Sequence, residues 1–130
     1  MAAFTFSDPR LLSGTIQVAY GITSTIAKGT LTDRKGVPSD PSDEDLTVAG
    51  IAITDGDSGD ALVIAKNGSR LRVTEDIIPG RTYVSVAPGQ YDLEENLSVG
   101  DTYRATLIAE DNSTVRLKIF NSDIVKVADA

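Results

Sequence analysis

Thr114-Val-Arg-Leu-Lys-Ile-Phe120 alternates without a break. Val115, Leu117 and Ile119 fall on one parity, and Arg116, Lys118 and Phe120 on the other. A period of two belongs to a pleated strand with one face covered and the other open. Outward from it, Glu110-Asp-Asn-Ser113 reads as a hairpin loop and Thr102-Tyr-Arg-Ala-Thr-Leu-Ile108 as the strand before it. Arg81-Thr-Tyr-Val-Ser-Val86 alternates in the same way, bounded by Pro79-Gly80 and Pro88-Gly89.

The pattern continues toward the N-terminus. Ser69 to Thr74 places Leu71 and Val73 inward and Arg70 and Arg72 outward. Asn67-Gly68 ahead of it is the strongest hairpin signal in the chain. Ala61-Leu-Val-Ile-Ala65 and Thr47-Val-Ala-Gly-Ile-Ala-Ile53 read as buried strands joined by the turn Asp55-Gly-Asp-Ser-Gly-Asp60. Gly14-Thr-Ile-Gln-Val-Ala-Tyr20 reads as a strand with Ile16 and Val18 on one face. Tyr91 to Leu97 has room for one helical turn, and residues 121–130 read as a short tail. Val, Ile and Thr supply 35 of the 130 residues, and their branched Cβ atoms suit strands. The expectation is an all-β fold: one small β-sandwich or β-barrel of about seven to nine short strands, residues 14–130, behind an extended N-terminal arm, residues 1–13. Phe4 and Phe6 in that arm either tuck onto their own domain or dock on another surface.

The length suits a single domain. The chain has no Cys, His or Trp. Disulfides, zinc sites built on Cys or His, and His-based acid–base or nucleophile pairs are thereby excluded. The longest apolar run is five residues, Ala61–Ala65, far short of the roughly 20 that a spanning helix needs. Met1-Ala-Ala-Phe-Thr-Phe-Ser-Asp8 has neither a basic start nor an apolar run of leader length, so a chain made and kept in a cytoplasm is expected.

The net charge of −7 is unevenly placed. Residues 40–60 hold seven acids (Asp40, Asp43, Glu44, Asp45, Asp55, Asp57, Asp60) and no base, leaving twelve acids against twelve bases elsewhere. A phosphate backbone needs a basic surface, so nucleic acid is not an expected partner, nor is a membrane. Asp55–Asp60 invites a calcium reading, but an EF-hand loop wants Gly sixth and Glu twelfth, where Asp60 and Lys66 stand. Glu94-Glu95 as a hydrolytic pair and the tyrosines as a sugar-stacking face read more simply as solvated or packed residues. No cofactor is expected. Arg70, Arg72, Arg104, Arg116 and Lys118 all fall on outward strand parity. If their strands are neighbours they form a basic face, which either meets the acidic stretch of another copy or is simply solvated.

Ile26-Ala-Lys-Gly-Thr-Leu31, Val48-Ala-Gly-Ile-Ala-Ile-Thr-Asp-Gly-Asp-Ser-Gly-Asp60, the apolar strand after it, Gly68, and Pro79-Gly-Arg-Thr-Tyr-Val84 follow one another in an order that resembles the small all-β proteins decorating the capsids of tailed bacteriophages. The resemblance spans roughly residues 14 to 120 and departs at the acidic, Pro-containing loop after Gly36. It implies a virion structural protein without an active site, made in the host cytoplasm and bound as trimers to the outside of the major capsid protein shell. The contact candidates are then Phe4 and Phe6 of the arm, Arg70, Arg72, Arg104, Arg116 and Lys118 of the basic face, and Asp43, Glu44 and Asp45 of the acidic stretch. The alternatives are a tail tube, baseplate or head-fibre component, or a carbohydrate-binding module.

Overall fold

The computed structural model describes residues 3–39 and 48–127. Among these residues eleven strands form: β1 (Phe4–Thr5), β2 (Arg10–Ser13), β3 (Ile16–Ala19), β4 (Leu31–Thr32), β5 (Gly50–Ala52), β6 (Leu62–Lys66), β7 (Arg70–Arg72), β8 (Thr82–Ala87), β9 (Gln90–Leu93), β10 (Thr102–Ala109) and β11 (Thr114–Val125). The fold is all-β, with more strands than the expected seven to nine. Two-residue strands such as β1 and β4 are too short to display a period.

The 110–113 loop closes a hairpin in which β10 and β11 pair from Ala109↔Val115 to Ala105↔Ile119. The Ser113 N–H donates to Asp111 Oδ1 at 2.8 Å, an Asx turn that shapes the loop. Seven strands assemble around this hairpin in the order β1-β9-β8-β10-β11-β7-β2, every pair antiparallel. Both edges of the sheet come from the N-terminal segment. Six strand spacings of about 4.8 Å would hold the edges of a flat sheet ~29 Å apart. The five residue steps from Thr5 to Arg10 reach at most ~18 Å. The sheet is therefore curled, and it forms a half-barrel.

The N-terminal arm is thus corrected to two edge strands and the link between them. Phe4 is 8% exposed and Phe6 is fully buried. Their rings meet Tyr83 and Tyr91 at centroid separations of 5.1–5.9 Å, in edge-to-face and stacked geometries. Leu71, Leu107, Val115 and Leu117 complete the same core. An alternating Phe-Thr-Phe segment next to a half-open barrel gains most by closing it. Burying one such ring stabilises by roughly 1.5–3 kcal/mol.

The remaining four strands form a second sheet, β3-β6-β5-β4. Ile51 and Ala65, paired across β5 and β6, face the main core. Ala52 and Ile64, one step along, face a second cluster with Ala19, Ile22, Ile26 and Leu62. Burial on both faces explains why these strands read as unbroken apolar runs rather than alternations. The 53–61 loop folds over the second cluster, bridged to the 22–28 segment by Ile26 N–H to Gly56 O at 2.8 Å and Gly56 N–H to Ile26 O at 2.9 Å.

Several local expectations change. Asn67-Gly68 is a turn, with Gly68 at φ +86° where an L side chain would strain, but it is not a hairpin. It passes the chain from β6 in one sheet to β7 in the other. Asn67 Oδ1 accepts the Ile119 N–H at 2.8 Å, and the Gly68 N–H donates to Leu117 O at 2.8 Å, so β11 takes the place of a hairpin partner. On β3, Ile16 is 50% exposed while Ala19 is buried. The one helical turn read in residues 91–97 is a 3-10 turn at Glu94–Asn96, and β9 takes the residues before it. The supposed tail continues β11 to Val125, beyond a register shift opposite Tyr103–Ala105 that interrupts the alternation.

Candidate contact face

The basic residues singled out from parity lie on neighbouring strands. β2, β7 and β11 are consecutive in the curled sheet. Register places Arg10 opposite Arg72 and Arg72 opposite Thr114 in one row. Two residues along, Ser13, Arg70, Arg116 and Ile108 form the next outward row. The row after that holds Lys118 opposite Thr106. The row between Arg72 and Arg70 is Leu11, Leu71, Val115 and Ala109, which packs inward. Arg10, Arg70, Arg72, Arg116 and Lys118 are all exposed.

Two of these pairings put like charges directly opposite, which costs stability in an isolated sheet. The fold offsets part of that cost. Glu110, at the end of the β10–β11 hairpin, reaches between Arg70 (Nε to Oε1, 2.6 Å) and Arg116 (3.3 Å to Oε2). Asp8 lies 3.3 Å from Arg10 Nε and 3.2 Å from Lys28 Nζ. The hydrogen bond from Lys28, foremost, holds the Asp8 carboxyl below its usual range. Lys118 Nζ stands 5.2 Å from the Phe120 ring centroid, a cation–π distance. Among the described residues neither Arg72 nor Lys118 forms an ion pair with an acid.

Arg104 is half-buried at the register shift of β10, two residues beyond Thr106, and so borders the face rather than belonging to its centre. Phe4 and Phe6 are core residues, and their reading as docking side chains is corrected. Asp43, Glu44 and Asp45 lie outside the described residues. Arg10 and Glu110 were not among the sequence candidates. Arg10 stood in the segment read as an arm, and Glu110 in a loop; only the strand order brings them to the basic rows.

The acidic turn has its own geometry. Asp55 Oδ1 accepts the Lys28 N–H at 2.9 Å, Asp57 Oδ1 accepts the Thr25 hydroxyl at 3.3 Å, and Asp60 Oδ2 accepts the Asp57 N–H at 2.9 Å. These carboxylates shape the loop over the second cluster and border a cleft of about 220 Å³. Among the described residues no three His, Cys, Asp or Glu side chains converge in a way that could hold a metal ion. No described helix is long and apolar enough to cross a membrane.

No family model, curated protein or solved structure matches the chain.

Proposed function

We propose that this chain is a virion structural protein that decorates and stabilises a bacteriophage capsid from outside, working by surface contact rather than by turnover. The observation that carries the reading is the basic face. Five cations stand on three adjacent strands of a sheet whose inner side is a continuous core. A doubly layered β block is stiff, because each strand is held by its ladder and by packing. A stiff block with one strongly charged face can brace neighbouring shell subunits, and many symmetric copies make a modest single contact effective. The order of motifs from Ile26 to Val84, which resembles decoration proteins, supplies the capsid as the surface in question. The major capsid protein is then the partner, and the exterior of the virion the location.

The test is co-expression with a major capsid protein of a tailed bacteriophage, followed by density-gradient separation of assembled heads. The chain is expected to sediment with heads and to raise the temperature at which they come apart. A chain found only at the top of the gradient overturns the reading.

A further inference from the structure

We infer that the face formed by Arg70, Arg72, Arg116 and Lys118 binds the acidic turn Asp55–Asp60 of a second copy of this chain. The inference goes beyond the capsid reading and does not depend on it.

Three observations support it. First, the face carries more positive charge than its own acids neutralise. Arg10 stands opposite Arg72 and Arg70 opposite Arg116, with Asp8 and Glu110 the acids ion-paired within those rows among the described residues. A sheet that keeps like charges opposite one another pays in stability, and an external anion relieves that repulsion. Second, the matching anion is in the same chain. The entire net charge of −7 resides in residues 40–60, and the described acids there, Asp55, Asp57 and Asp60, are exposed. Third, the two features do not neutralise each other within one molecule: among the described residues Asp55, Asp57 and Asp60 form no ion pair with the cations of the face, and accept instead from the Lys28 N–H, the Thr25 hydroxyl and the Asp57 N–H. The acidic turn precedes β6 and the basic rows begin just after β6 ends at Lys66. The turn is also tied to the 22–28 segment by its backbone bridge.

A contact between unlike surfaces of identical chains is head-to-tail, and it closes into a ring when the rotation between copies permits. Such a contact is driven by opposed potentials and weakens as salt screens them.

The experiment uses the purified full chain in sedimentation velocity. At 20 mM NaCl and high protein concentration the chain is expected to sediment as an oligomer, with apparent affinity falling about tenfold or more by 500 mM NaCl. Two charge-reversed variants follow, Arg72→Glu with Lys118→Glu, and Asp57→Lys with Asp60→Lys. Each alone is expected to be monomeric, and their equimolar mixture is expected to associate again, because each supplies the surface that the other has lost. Circular dichroism melts verify folding; if either pair fails to fold, the single variants Lys118→Glu and Asp57→Lys are mixed instead. A wild-type chain that stays monomeric at low salt overturns the inference, whether or not it binds heads. So does an oligomer insensitive to both reversals, or a face that retains duplex DNA while copies ignore each other.

Discussion

The Tyr91 hydroxyl donates a 2.6 Å hydrogen bond to the carbonyl of Gly29, inside the protein and across 62 residues of chain. It links β9, which pairs with the N-terminal strand, to the segment leading into β4 of the other sheet. Phe6 packs against the same Tyr91 ring, and Gly29 lies against the Phe6 backbone. This joint is where the two sheets and the chain start meet.

Tyr91→Phe leaves the Gly29 carbonyl buried without that partner. A loss of roughly 1–3 kcal/mol is expected, read from urea denaturation at pH 7. Burial also pushes the Tyr91 hydroxyl well above its ordinary value near 10. The folded state keeps this proton where the unfolded chain releases it, so stability holds below pH 10 and falls as pH rises above it. The slope approaches about 1.4 kcal/mol per pH unit for this one group. Tyr91→Phe removes that component; an unchanged alkaline slope would contradict the assignment.

Gly29 has φ +94°, and an added Cβ would stand 1.9 Å from the Phe6 carbonyl oxygen. Gly29→Ala therefore meets both a left-handed backbone and a backbone clash. It is expected to lower the melting temperature sharply, by more than the ~1 kcal/mol equivalent of a positive-φ substitution alone. Gly59→Ala, also at φ +94° but with open space around it, is the control for the backbone effect.

Phe6→Ala empties a fully buried site in the half-barrel. A loss of about 3–5 kcal/mol is expected, measured as a lower urea midpoint at unchanged slope. A side chain that merely docked on a partner would leave the midpoint of the purified chain where it was.

Glu110→Gln removes the acid between Arg70 and Arg116. Because this site is partly solvated, the destabilisation at low salt is expected to be at most about 1 kcal/mol. It should shrink as NaCl screens the repulsion that Glu110 had offset. Thermal melts at 20 and 500 mM NaCl check both the sign and the trend.

Asp8 and Asp111 carry carboxyls held below their ordinary range, Asp8 chiefly by the hydrogen bond from Lys28 and Asp111 chiefly by the Ser113 N–H. Each contributes stability above the ordinary carboxylate value that is lost as pH falls through its lowered one. The double variant Asp8→Asn, Asp111→Asn is expected to flatten the dependence of stability on pH below 4. An acid limb as steep as that of the wild type would count against these attributions.

Much of the β character was legible locally. Leu71 between Arg70 and Arg72, and Leu117 between Arg116 and Lys118, announce an inner and an outer face, because side chains alternate across any pleated strand. The residues of the candidate face were legible in the same way, as a parity. Their adjacency was not. Alternation reports that a strand has a covered side, not which strand lies next to it, and Arg10 opposite Arg72 is a fact of pairing between distant segments.

The errors share that origin. Asn67-Gly68 sets a backbone turn through local φ preferences, but those preferences do not say whether the strand after the turn rejoins the one before it. Here the Leu117 carbonyl of β11 accepts from the Gly68 N–H and the Ile119 N–H donates to Asn67 instead. Ile16 is more apolar than Ala19, yet Ala19 is the buried one, because the second cluster packs on Ala19 and neither cluster reaches Ile16. The amino-acid sequence by itself determined that the chain is built from strands, where charge gathers, and which chemistry is impossible without Cys or His. Tertiary structure alone decided that Phe4 and Phe6 close the half-barrel and that five cations share one face, since both depend on non-local packing that no short window of residues contains.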